Sequence, residues 1–124
     1  CFIEKRNILA KYYKDHLSGL PLKFQKILPN CLSSYHLFTV ELTDKNYLRD
    51  ELYRFLQANK IGCQVHYIPV HLQPYYKRQG FCSGMFENAE NYFRNCLSIP
   101  LHQGLEEIDI KYVCDKLTIF FAKS

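Results

Sequence analysis

The stretch GCQVHYIPVHLQPYY, residues 62–76, decides how this 124-residue chain is read. Residues 63–67 predict a strand, with Gln64 and His66 on one face and Val65 and Tyr67 on the other, and Pro69 ends it. The stretch also carries His66, Tyr67, His71, Gln73, Tyr75 and Tyr76, five of which are aromatic rings or imidazoles with a polar tip. Such rings can stay packed while their tips face a polar ligand. A strand that opens into a ligand-facing loop is the expectation from which the rest follows.

Working outward, the residues on either side supply a scaffold. Residues 44–58 place Tyr47, Leu48, Leu52, Phe55 and Leu56 on one side of a helix, with Thr43 or Asp44 as its N-cap and Asn59 in the left-handed position after its last turn. Before that helix, residues 33–42 predict a strand in which Phe38, Val40 and Leu42 alternate onto one face. Gly19, Pro21, Pro29 and Asn30 bracket an irregular connection, preceded by a helix over 1–17 with an apolar stripe of Ile8, Leu9, Tyr12, Tyr13 and Leu17. Beyond the loop, a helix over 86–96 turns Ala89, Tyr92, Phe93 and Cys96 inward, and a short strand follows over 97–100. The last helix has Glu106, Glu107 and Asp109 at its start, where negative charge suits the macrodipole, and buries Ile110, Val113, Leu117 and Phe120 or Phe121.

The order α-β-α-β-α-β-α predicts an α/β (α+β) two-layer sandwich, a small three-stranded sheet covered by helices. Strand direction stays open, since crossover helices favour parallel pairing while such short strands pair equally well antiparallel. A length of 124 residues and 48% hydrophobic composition fit one domain with one core. The 16 Lys and Arg are interleaved with 12 Asp and Glu, so no basic run marks a nucleic-acid surface. No apolar stretch approaches the length of a membrane span. The six cysteines lie 14 to 32 residues apart with no C-x-x-C pair, which points to reduced thiols and a cytoplasmic setting. His66, His71 and Cys63 do not have a standard metal spacing, and no metal is expected. The chain starts at Cys1 inside a helical pattern, so an upstream portion is expected.

SSYHLF at 33–38, VHYIPVHLQPYY at 65–76, NAENYF at 88–93 and LSIPLHQGL at 97–105 form an ordered set. The set resembles the C-terminal small domain of the DegT/DnrJ/StrS sugar aminotransferases, and within that group its pseudaminic-acid branch. The resemblance implies the small domain of a fold-type I aminotransferase, with an inter-domain helix over 1–18 and the small domain over 19–124. It implies a pyridoxal phosphate enzyme that converts a 4-keto nucleotide sugar, here a UDP-sugar, into a 4-amino sugar with glutamate as donor, working as a homodimer. The family places the Schiff-base lysine and most cofactor ligands in the large N-terminal domain, so no catalytic, cofactor or metal residue is assigned here. Lys45, Lys60 and Lys116 sit on polar faces or helix ends and are not nominated. By resemblance the substrate-facing residues are Gln64, Val65, His66, Tyr67 and His71, and the fragment alone is expected to be inactive. The alternative is a stand-alone, non-catalytic binding or interaction module built on the same sandwich.

Overall fold

The computed structural model describes residues 1–122; Lys123 and Ser124, the end of the expected 19–124 domain, lie outside the described residues. Helix α1 (Phe2–His16) is followed by strand β1 (Leu22–Phe24), strand β2 (Phe38–Leu42) and helix α2 (Arg49–Ala58). A 3-10 turn (Val70–Leu72) and the single-turn helix α3 (Pro74–Lys77) interrupt the long excursion that leads to α4 (Glu87–Asn95), β3 (Cys96–Ile99) and α5 (Glu107–Phe121). The sheet has the order β1-β2-β3 and both pairings are antiparallel, which resolves the open question of strand direction.

Register divides the sheet into two chemically distinct faces. Phe38, Val40 and Leu42 alternate inward on β2, and their partners Ile99, Leu97, Phe24 and Leu22 share that face. Leu9, Tyr13 and Leu17 from the first helical segment, Leu52 and Leu56 from α2, and Ile110, Val113 and Leu117 from α5 close over it. Helix α1 packs along α5, and α2 packs against both α5 and β3. Tyr13 anchors the centre: its ring stacks on Phe38 at 5.0 Å between centroids, and its hydroxyl donates to Pro100 O at 2.9 Å. Burial pushes its phenol well above the ordinary value, with Cys114 and Asp109 adding to the rise. The opposite face carries Lys23, Glu41, Thr39, Ser98 and Gln64, and α4 lies against β2.

The helical expectations for α1, α2 and α5 hold, as does the burial of Ile110, Val113, Leu117 and Phe121, but Ile8 and Leu48, expected on the apolar faces of α1 and α2, are exposed. Several local expectations do not. The connection after α1 contains β1, a strand only three residues long and too short for a periodic signal. Residues 63–67 make a single bridge, Gln64 to Ser98, in place of a strand, so the third strand of the sheet is β1. Residues 33–37 precede β2 without joining it. Helix α2 starts one turn later than Thr43 or Asp44 would cap, because Asp44 Oδ1 instead accepts from Asn46 N at 2.9 Å in a local turn. Lys60, not Asn59, takes the positive φ after α2. On the inner side of α4 Phe93 is half-buried and Cys96 buried as expected, but Glu90 is buried there too, whereas Ala89 and Tyr92 are exposed.

Candidate substrate-binding site

Ser98 on β3 organises the polar face. Its neighbours Leu97 and Ile99 fill the core, so alternation sends the hydroxyl to the other side of the sheet. There Ser98 exchanges both backbone hydrogen bonds with Gln64, at 3.1 and 2.8 Å. That pair fixes the register of the following residues. His66 Nδ1 comes to rest 2.8 Å from Ser98 Oγ, and Ser98 Oγ lies 3.4 Å from Thr39 Oγ1 on β2. Burial pushes the nearby Tyr92 phenol up, as do Cys96 and Glu41, while a hydrogen bond with Thr39 pulls it down. An imidazole and three hydroxyls thus form one connected polar strip.

The expected two-sidedness of 64–67 holds for Gln64, Val65 and His66 but not for Tyr67, which is exposed beside the His66 ring and does not join Val65 at the core. Gln64 and His66 face the Ser98 side, and Val65 packs against the core. The His66 carbonyl accepts from the Cys96 thiol at 3.7 Å. Tyr67 is 69% exposed, its ring edge-on to His66 with centroids 4.6 Å apart, and the peptide bond between them is cis. Ile68 and Val70 continue the exposed surface. His71 lies elsewhere: it is buried, with Nε2 2.9 Å from Glu90 Oε1, so it does not share a surface with His66.

A groove of about 450 Å³ runs past His66, bordered by His36, Tyr53, Gln57, Gln64 and Ser98. A second groove of about 620 Å³ lies along the other side of His36 and Leu37, with Lys23, Lys26, Ser33, Thr39 and Tyr92 on its walls. His36 and Leu37 belong to both, so the two form neighbouring compartments. Helix α1 holds the wall between them. Arg6 donates to Ser34 O at 3.0 Å, Asn7 to Ser33 O at 2.9 Å and Lys14 to the Tyr35 hydroxyl at 2.9 Å.

Pyridoxal phosphate does not fit this set of donors. Among the described residues, no lysine or arginine lines the His66 groove, so it offers no amine for a Schiff base and no permanent cation for a phosphate. What the groove offers is directional hydrogen-bonding groups beside the Tyr53 ring, a combination suited to a sugar. Sequence reading missed Ser98 and Glu90. Ser98 was traceable in the alternation of LSI, a small polar residue between two core residues, while Glu90 in NAEN read as part of a helix cap.

The DegT/DnrJ/EryC1/StrS aminotransferase family profile matches residues 1–118. The chain is 34% identical over 117 residues to the UDP-4-amino-4,6-dideoxy-N-acetyl-beta-L-altrosamine transaminase of Campylobacter jejuni, covering 93% of this chain and 31% of that protein. It is 36% identical over 113 residues to the dTDP-3-amino-3,4,6-trideoxy-alpha-D-glucose transaminase of Streptomyces venezuelae, covering 90% of this chain and 29% of the relative. Among solved structures, S. venezuelae DesV in complex with a ketimine intermediate superimposes with a TM-score of 0.89 at 32% identity, over 99% of this chain and 33% of that one. The chain therefore spans about a third of the length of these relatives.

Proposed function

Because the chain belongs to the DegT/DnrJ/EryC1/StrS aminotransferase family, we propose that it forms the sugar-facing wall of a nucleotide-sugar aminotransferase. The observation that carries this reading is the His66–Ser98 hydrogen bond on the wall of a groove where, among the described residues, no lysine or arginine lies, with the exposed Tyr67 ring edge-on to His66. Gln64 and His66 hydrogen-bond sugar hydroxyl or acetamido groups, Tyr67 lays its ring against the apolar side of the sugar, and Val65 ties the segment to the core. Ser98 holds the His66 ring from behind, which leaves Nε2 to face the ligand. His71 supports the segment from beneath.

Pyridoxal phosphate, when bound, supplies the electron sink for amino transfer. Its lysine and phosphate contacts belong, on this reading, to residues outside this chain, with glutamate as amino donor and a homodimer as the working form. A 4-keto UDP-sugar of the pseudaminic-acid type is the favoured substrate, supported by the Campylobacter relative. The isolated 124-residue chain is then a sugar-binding wall without turnover.

Titration with UDP-N-acetylglucosamine, followed through the His66 and Tyr67 ring resonances, tests the reading. Saturable shifts at both rings are expected, with His66→Ala abolishing them; a response confined to distant residues would overturn it. Borohydride treatment in the presence of pyridoxal phosphate is expected to leave no stoichiometric covalent adduct.

A further inference from the structure

The excursion over residues 68–86 separates the proposed sugar-facing residues from α4. Most of it is exposed: residues 74–80 and 82–86 all lie at the surface. Its ring contacts are internal, running Tyr76 to Phe81, Phe81 to Phe86 and Phe86 to His71. Among the described residues, every hydrogen bond joining this excursion to the rest of the chain ends on Glu90. The carboxylate accepts from Ser83 Oγ at 2.8 Å, Gly84 N at 2.8 Å and His71 Nε2 at 2.9 Å, and the Glu90 backbone N–H donates to Phe86 O. Gly84 has φ +92, a conformation that favours glycine and here turns its N–H toward the carboxylate.

We propose that Glu90 is a positioning residue for the substrate-facing loop: its carboxylate gathers His71, Ser83 and Gly84 onto α4 and so fixes where Tyr67 stands beside the His66 ring that Ser98 holds. The proposal rests on the reading of His66 and Tyr67 given above. His71 follows Tyr67 by four residues, and the intervening Pro69 is buried, so the His71 bond sets the direction in which the chain leaves Tyr67. Ser83 and Gly84 close the far end on the same two oxygens. A carboxylate is required because all three partners point hydrogens at it, and a charged acceptor makes each bond stronger than a neutral one would. The Ser83 bond, followed by those from His71, Gly84 and Phe86, holds the Glu90 carboxyl down at about 2 from its ordinary 4.5, against the effect of burial. Its folded value is depressed, so the latch is intact above about 4.5 and is lost as pH falls towards about 2. Among the described residues hydrogen-bonded to Glu90, His71 is the one other ionisable side chain; Ser83, Gly84 and Phe86 bring no ionisable group.

Hydrogen exchange and ring resonances of the 124-residue chain, measured on wild type, Glu90→Ala and Glu90→Gln, test this. In Glu90→Ala, amides of 70–86 are expected to exchange at least about tenfold faster while β2 and α5 keep their protection, and the Tyr67 resonances shift. Glu90→Gln, which keeps an acceptor oxygen, is expected to restore part of the protection at pH 7 and to lack the opening on acidification that is expected of wild type. Unchanged exchange in Glu90→Ala, or an acid step that persists in Glu90→Gln, overturns the proposal. Tyr67 resonances that stay put while 70–86 opens overturn it too, since the latch then positions nothing. These arms need no ligand, so a wild-type chain silent to UDP-N-acetylglucosamine defeats the sugar reading without touching them. If the wild type does bind, Glu90→Ala is expected to weaken binding about tenfold or more.

Discussion

The body of the domain and the excursion over 68–86 are held together by opposite means. In the body, Leu9, Tyr13, Val40, Leu52, Leu97 and Leu117 are fully buried and interlock from five different elements, so no single contact is decisive. In the excursion, Val70, Tyr75, Met85 and Phe86 remain exposed, and the polar ties to the body converge on one carboxylate. A region fixed by many apolar contacts changes little with pH or ligand. One fixed by a few charged hydrogen bonds can change locally while the fold stands.

Four experiments break or sharpen this contrast. The largest effect falls on the body: Leu117→Ala removes a fully buried side chain and is expected to lower unfolding stability by about 2–5 kcal/mol in denaturant titration. A loss below about 1 kcal/mol would mean the core repacks freely, and the contrast would fail. Tyr13→Phe is expected to lower stability by about 1–2 kcal/mol, because the buried hydroxyl bond to Pro100 O disappears while the ring still stacks on Phe38. Thiol labelling at pH 8 separates two classes without perturbing the fold. Cys1, Cys31 and Cys82 are exposed and react quickly, whereas Cys63, Cys96 and Cys114 are buried and react slowly. Burial pushes the Cys114 thiol up to about 12, with Asp115 adding to the rise, which leaves little thiolate to attack. Six thiols labelling at one rate would show that the body opens as readily as the excursion. The smallest stability change is expected at Tyr67, where Tyr67→Ala stays within about 0.5 kcal/mol of wild type. The same variant is expected to lose most of its response to UDP-N-acetylglucosamine, so unimpaired binding would remove Tyr67 from the site.

The same division governs what the sequence disclosed. Helices α1, α2 and α5 and the alternation of β2 were readable because apolar periodicity records burial against a core. Strand β1 was not, since Leu22, Lys23 and Phe24 are too few to show a period and Pro21 beside them reads as loop. Residues 63–67 looked like a full strand because Val65 and Cys63 turn inward, yet pairing with β3 is confined to Gln64. Gln64 and His66 line a groove and Tyr67 is exposed beside His66, whereas Val65 packs on the core and His71 points to Glu90. That divergence depends on a partner nineteen residues further along the chain, which local patterns do not reveal.

Helix α1 touches neither His66 nor Tyr67, yet Arg6, Asn7 and Lys14 grip residues 33–35, immediately before His36 at the boundary of the two compartments. A tilt of that helix would act as a tiller, swinging the partition between the compartments without disturbing the polar strip on β3. Pocket shape and hydrogen-bonding chemistry would then be separately adjustable, one through a rod at the start of the chain and the other through a hydroxyl at the centre of a strand.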